Sequence, residues 1–315
     1  MVRVVEVASL PTGHQHAVHP LLQADPKEGA ILLSTGGSGP EIHRWDIGTG
    51  DSIWHSVEEL PGYNGSILAS LPRGRCVLAV STEEGVERWS AQTGEPMSGV
   101  YSAESTVWSL AAGTLPEGQA MLVGAGHSGA VHRWDADSGE PIGPPLLGHA
   151  TTVLSVGLGY LSPSEAVIMS GDDSGFLRRW DARTGNPLGD PVAGHASQVN
   201  IIAALPLNDV GNGFASSDSE GEICRWDAAT GERIGAPLAT GTEIYALATV
   251  CPGGSPLLLA AGADGAVVMW NAVTGEPEGI SLRGISVAAV DQPDGTSLVV
   301  TGTAQGEMIV YSLSV

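Results

Sequence analysis

Three kinds of residue in this chain have the types and spacing to do chemistry: clustered histidines, arginines set beside tryptophans, and cysteines. His14, His16 and His19 fall in the run HQHAVH, and closely spaced imidazoles can ligate a transition metal. No cysteine or tight carboxylate cluster accompanies them and the spacing matches no common zinc pattern, so no metal is expected. Arg44, Arg88, Arg133, Arg179 and Arg225 each stand directly before a tryptophan, and a ring of guanidinium groups could bind a polyanion. Their equivalence argues for a structural role instead, each paired with a local acidic residue, its stem packed on the tryptophan or a neighbouring element. Cys76, Cys224 and Cys251 show no CxxC spacing and lie in or beside apolar runs such as RCVLAV; buried thiols in a reducing compartment are expected. There is no GxxxxGKS loop, GxSxG elbow or GxGxxG opening a helix. No cofactor and no catalytic residue is therefore expected.

The elements that must position these residues follow from a repeat. Trp45, Trp89, Trp134, Trp180, Trp226, Trp270 and Tyr311 recur at spacings of 44, 45, 46, 46, 44 and 41 residues. Asp46, Asp135, Asp181 and Asp227 follow directly. The turns IGTGDSI, AQTGEPM, ADSGEPI, ARTGNPL, AATGERI and AVTGEPE come next, where glycine supplies positive φ and proline blocks helix continuation. Gly13-His14, Gly148-His149 and Gly194-His195 form a second marker, each histidine 31 residues before its tryptophan. Between the markers lie three apolar runs, such as TTVLSVGLG, EAVIMSG and FLRRWD, with a fourth short segment after each turn. Four short strands per period describe one propeller blade. The reading is an all-β chain, a single domain over residues 1–315, with repeats at approximately 1–46, 47–90, 91–135, 136–181, 182–227, 228–271 and 272–315.

Gly-His, an apolar strand, an Asp-containing turn, Arg-Trp-Asp and an xxTG turn together resemble the WD-repeat (WD40) family across essentially the whole chain. The phrasing of SGEPIGPPLLGH and WDARTGNPLGDPVAGH is similar to bacterial, actinomycete-like members. The resemblance implies a seven-bladed β-propeller with four antiparallel strands per blade, the N-terminal strand RVVEVA completing the last blade and closing the ring. It also implies a buried network of the Gly-His histidine, a turn Asp, a Ser or Thr and the tryptophan. Taking the Asp position as six before the aromatic leaves this network incomplete: only Asp264 fills it, His149 has Ser174 there, His195 would face Glu220, and His14 would face Gly39.

Forty-two per cent apolar residues with 44 glycines suit many short strands and tight turns. A formal charge of −22 repels phosphate backbones and anionic membrane surfaces, so neither nucleic acid nor membrane is an expected partner. The opening MVRVVEVASL lacks the apolar run of a signal peptide, and a cytoplasmic protein is expected.

The resemblance places His19, Leu68, Trp108, Leu154, Asn200 and Tyr245 around a channel mouth, with Val287 in the shorter seventh repeat and Glu243 beside Tyr245. Large aromatics at exposed positions anchor binding. The turns Glu83-Glu84, Asp172-Asp173, Asp218 with Glu220, and Asp264 add an acidic rim, interrupted by His127. The expected function is a non-catalytic scaffold that binds a protein or peptide, with a basic partner favoured by charge steering and cation–π contact. The competing expectation is an enzyme or small-molecule binder with His19, Glu243 or Tyr245 in acid–base roles and Trp108 and Tyr245 as a substrate platform.

Overall fold

The fold is seen in a computed structural model. It describes residues 2–12, 17–25, 29–36, 42–55, 65–71, 75–82, 85–97, 99, 101, 103, 105–162, 164–207 and 212–315, without the side chains of residues 25, 29, 65, 66 and 68–71. Two compact units divide the chain: residues 1–60, 206–208 and 242–315 in the first, residues 61–205 and 209–241 in the second.

The first unit holds three four-stranded sheets. One is β2 (Val18–Asp25), β3 (Gly29–Gly36), β4 (Ile42–Trp45) and β5 (Ser52–His55), and another is β20 (Ile244–Val250), β21 (Leu257–Gly262), β22 (Ala266–Asn271) and β23 (Pro277–Arg283). The third runs β24 (Ser286–Asp291), β25 (Ser297–Gly302), β26 (Glu307–Ser314), then β1 (Arg3–Pro11). Here β1 lies antiparallel to β26, from Arg3 opposite Ser314 to Pro11 opposite Glu307. Strand β24 packs against both β20 and β2.

The second unit holds two four-stranded sheets: β12 (Val153–Ser162), β13 (Glu165–Asp172), β14 (Phe176–Asp181) and β15 (Val192–Ala193); and β16 (Val199–Pro206), β17 (Asn212–Asp218), β18 (Glu222–Asp227) and β19 (Leu238–Ala239). Two further sheets are three-stranded: β6 (Gly65–Leu71), β7 (Arg75–Thr82) and β8 (Gly85–Ser90); and β9 (Val107–Thr114), β10 (Ala120–Gly126) and β11 (Val131–Asp135). Their fourth segments pair with the third strand through the isolated bridges Val86–Tyr101, Trp89–Pro96, Val131–Leu146 and Trp134–Pro141, with Met97 N donating to Arg88 O and Ile142 N to Arg133 O (2.8 Å each).

The middle strands are apolar on both faces because sheets cover them from both sides. Every residue of β10 is buried, as are seven of the eight in β13. Small residues in the first strands let neighbouring sheets approach: a Cβ on Gly157 would lie 2.7 Å from Ile202 Cγ2, and one on Gly159 2.9 Å from the Phe214 ring. Hydroxyls tie the same strands together, with Val156 N donating to Ser109 Oγ (3.1 Å) and Ile202 N to Ser155 Oγ (2.7 Å). Five third strands end in an Asx turn, at Asp46, Asp135, Asp181, Asp227 and Asn271, and Ser90 makes the hydroxyl equivalent at the end of β8. Asp181 Oδ1 accepts from the backbone N and the hydroxyl of Thr184 (2.6 and 2.8 Å), and Asp227 Oδ1 accepts from Thr230 N (2.7 Å). This is the local reason for the recurring Asp-x-x-Thr-Gly. No helix among the described residues is long and apolar enough to cross a membrane.

Candidate functional site

Strand alternation decides which residues the first strands offer to solvent, since successive side chains point to opposite faces. In the second unit Val107, Val153 and Val199 are buried, and the next residues turn outward: Trp108 is 45% exposed, Leu154 and Asn200 half-buried. The Ser109–Val156 and Ser155–Ile202 bonds show that these positions lie on successive neighbouring strands. Leu68 belongs to β6, but its side chain lies outside the described residues.

In the first unit Ile244 is buried, Tyr245 is 48% exposed and Glu243 is exposed. His19 follows buried Val18 and is itself half-buried, and burial pushes its imidazole below the ordinary 6.5. Val287 departs from the expectation: it is 7% exposed and packs in a core with Leu259, Val267 and Met269. Strand β24 packs against both the strand carrying His19 and the one that follows Glu243.

The histidine network corrects the sequence reading. His149 Nδ1 donates to Asp172 Oδ2 (2.8 Å), its Nε2 bonds Ser170 Oγ (2.7 Å), and Trp180 Nε1 donates to that same hydroxyl (2.9 Å). Burial holds the imidazole below its ordinary value against the pull of Asp172, so the neutral Nδ1–H tautomer receives the Ser170 proton at Nε2. His195 repeats the pattern. Its Nε2 bonds Ser216 Oγ (2.6 Å), Trp226 Nε1 donates to Ser216 (2.7 Å), and Nδ1 faces Asp218 Oδ2 at 3.4 Å. The partner Asp stands eight residues before the tryptophan, because the turn folds back on its own carboxylate: Asp172 Oδ1 accepts from Ser174 N and Phe176 N, and Asp218 Oδ1 from Glu220 N and Glu222 N. His195 therefore faces Asp218 and not Glu220. His14, His16, Gly39, Glu83 and Glu84 lie outside the described residues.

These bonds also remove two members of the expected acidic rim. Asp172 and Asp218 are each 3% exposed, whereas Asp173, Glu220, Asp264 and His127 are exposed.

The arginines hold backbone rather than local carboxylates. Arg133 Nη1 donates to the carbonyls of Ala182 and Arg183 (2.9 Å each). Arg179 donates to Ala228, Ala229 and Thr230, and Arg88 to Ala136, Asp137 and Ser138. Each guanidinium thus clasps the Asx turn of the next repeat, where several carbonyls face one way and a rigid fork of donors matches them.

One cluster escaped the sequence reading. Ligand atoms of His195, Glu222 and Cys224 all lie within 4.8 Å of one another, an imidazole–carboxylate–thiol set of the kind that suits zinc. Only the alternation of Glu222 and Cys224 hinted at it; His195 is remote in sequence. Burial, reinforced by Glu222, pushes the Cys224 thiol up to about 11, and the thiol lies 3.6 Å from Glu222 Oε1. As it stands, hydrogen bonding organises the cluster. Cys76 and Cys224 are buried, but Cys251 is only half-buried, against the expectation for all three.

No protein-family model and no curated protein matches the chain. Among solved structures it is similar to a crystal structure of the computationally designed Ika8 protein, with a TM-score of 0.63 and 21% identity over 97% of this chain and 99% of that one. At that identity the likeness speaks to the fold alone. With the antiparallel four-stranded sheets, it defines the chain as an all-β propeller.

Proposed function

We propose that this chain is a seven-bladed WD-repeat propeller, its ring closed by β1, and that it works in the cytoplasm as a non-catalytic scaffold for a protein or peptide. The observation that carries the reading is the exposure of Trp108 (45%) and Tyr245 (48%) at the equivalent place of their repeats, one in each unit. Most large apolar side chains here are buried, and strand alternation turns these two rings outward where a solvated sheet residue would be polar. Glu243, exposed beside Tyr245, and the net charge of −22 favour a basic partner. The pairing of β1 with β26 supports ring closure.

The test is selection from a random displayed-peptide library. The reading expects enrichment of Lys- and Arg-containing sequences, and loss of most of that enrichment when Trp108→Ala or Tyr245→Ala is the bait. Neutral or acidic winners, or winners retained equally by both variants, would refute it.

A further inference from the structure

The fourth and fifth repeats share the histidine network and differ in what surrounds it. Their tryptophans, Trp180 and Trp226, are 46 residues apart, and at four and two residues before them the fourth repeat has Phe176 and Arg178 where the fifth has Glu222 and Cys224. In β18 those two positions lie on one face, since the side chains of a strand alternate. Ser216 stands opposite Cys224 in the β17–β18 ladder, and its hydroxyl holds His195 Nε2 at 2.6 Å. The ring is therefore fixed over the same face, and ligand atoms of His195, Glu222 and Cys224 come within 4.8 Å of one another. All three residues belong to the second unit.

A second observation points to a ligand there. In the fourth repeat His149 Nδ1 bonds Asp172 at 2.8 Å. In the fifth the matching gap to Asp218 Oδ2 opens to 3.4 Å, and Nδ1, on a side chain that is 0% exposed, has no hydrogen-bond partner among the described residues. A fully buried polar atom without a partner is uncommon in native proteins and is one mark of an ion site. The donor types suit zinc: imidazole nitrogen, thiolate sulfur and carboxylate oxygen are its usual ligands, and three protein ligands leave the fourth tetrahedral position to water. Glu222 is half-buried and gives the cluster its way to solvent, whereas Cys224 is fully buried. Charge also balances. A thiolate and a carboxylate neutralise one divalent ion, which limits the cost of burying it, and of the other charges acting on His195, Asp218 and Arg233 oppose each other.

We infer that His195, Glu222 and Cys224 form a zinc site. Nε2 of the ring is already held by Ser216, so Nδ1 is the nitrogen open to the ion, and Ser216 serves as the outer partner that orients the imidazole. The ion replaces the thiol proton that Cys224 shares with Glu222 Oε1 (3.6 Å). The S–H bond breaks, a zinc–sulfur bond forms, and the proton leaves to solvent. The inference does not rest on the Trp108 and Tyr245 surface, which involves other residues.

Calorimetric titration of the reduced, chelator-treated protein with Zn2+ tests it, repeated with Co2+, whose bond to a thiolate gives a near-ultraviolet charge-transfer band. Wild type should bind zinc, and its Co2+ form should show the band. Cys224→Ser should remove the band, while Cys251→Ser, which alters a thiol elsewhere in the chain, should leave it. Glu222→Gln should weaken zinc binding about 100-fold, at least as much as the loss of an outer partner costs a metal site. No band in the wild type, a band that survives Cys224→Ser, or zinc held equally by Glu222→Gln and wild type overturns the inference. The Glu222→Gln comparison decides the matter should Cys224→Ser not fold.

Discussion

His149 spends both ring nitrogens on neighbours, and that fixes its protonation state. With Nδ1–H on Asp172 and Nε2 accepting from Ser170, and with burial depressing its pKa and that of His195 below 6.5, the folded chain holds two neutral imidazoles. The unfolded chain protonates them near 6.5, so below that pH it binds more protons than the folded chain and stability falls with pH. The limiting slope is about 1.4 kcal/mol per pH unit for each histidine. Urea midpoints between pH 8 and 5 should therefore drop in the wild type, and His149→Gln should drop less steeply; equal slopes would contradict the neutral assignment. The sequence displayed the histidines and tryptophans plainly through their common interval. It concealed the acidic partners because the turn brings back a carboxylate that counting from the aromatic placed two residues off. At the first-strand positions the exposure of Trp108 and Tyr245 was legible, while the burial of Val287 was not, because β20 bulges between Ile244 and Ala246 at Tyr245 whereas β24 pairs with β25 without a bulge through Ser286 and Val287.

At the scale of elements, the repeated arginine is a clasp between consecutive repeats. Arg133 is 3% exposed and holds two carbonyls of the next turn, and Gly185, at φ +78°, lies directly under it. Charge-assisted bonds of this kind contribute about 1.5–3 kcal/mol each. Arg133→Ala should destabilise by about 3 kcal/mol in chemical denaturation. Arg133→Lys should recover only part of this, since an ammonium cannot fork across two carbonyls. Gly185→Ala should cost about 1–3 kcal/mol from the backbone strain and the guanidinium contact. Its cost should shrink in the Arg133→Ala background, because the contact is then gone. Strictly additive losses would show that the arginine and the turn are not coupled. The recurrence of Arg-Trp and Thr-Gly made both ends of the clasp visible in sequence. Their partnership was not, because the arginine's acceptors are backbone carbonyls, which carry no residue identity.

Over the whole molecule, periodicity carried most of what could be read: strands, turns and repeats follow from the aromatic spacing and the glycine-bearing turns. The sequence overstated regularity at the second and third repeats, whose fourth segments form isolated bridges and no continuous strand among the described residues. The proposed binding rests on exposed aromatics in an acidic chain. The proposed function makes these exposed rings its contact residues. Its most direct test is the dissociation constant of the best displayed basic peptide, measured by calorimetry for wild type, Trp108→Ala, Tyr245→Ala and Leu147→Ala, the last removing an apolar residue that is 75% exposed. The account expects each aromatic substitution to weaken binding about 10-fold or more with the melting midpoint unchanged, and Leu147→Ala to leave affinity as it is. Four equal constants, or a loss as large for Leu147→Ala as for the two aromatics, would contradict it.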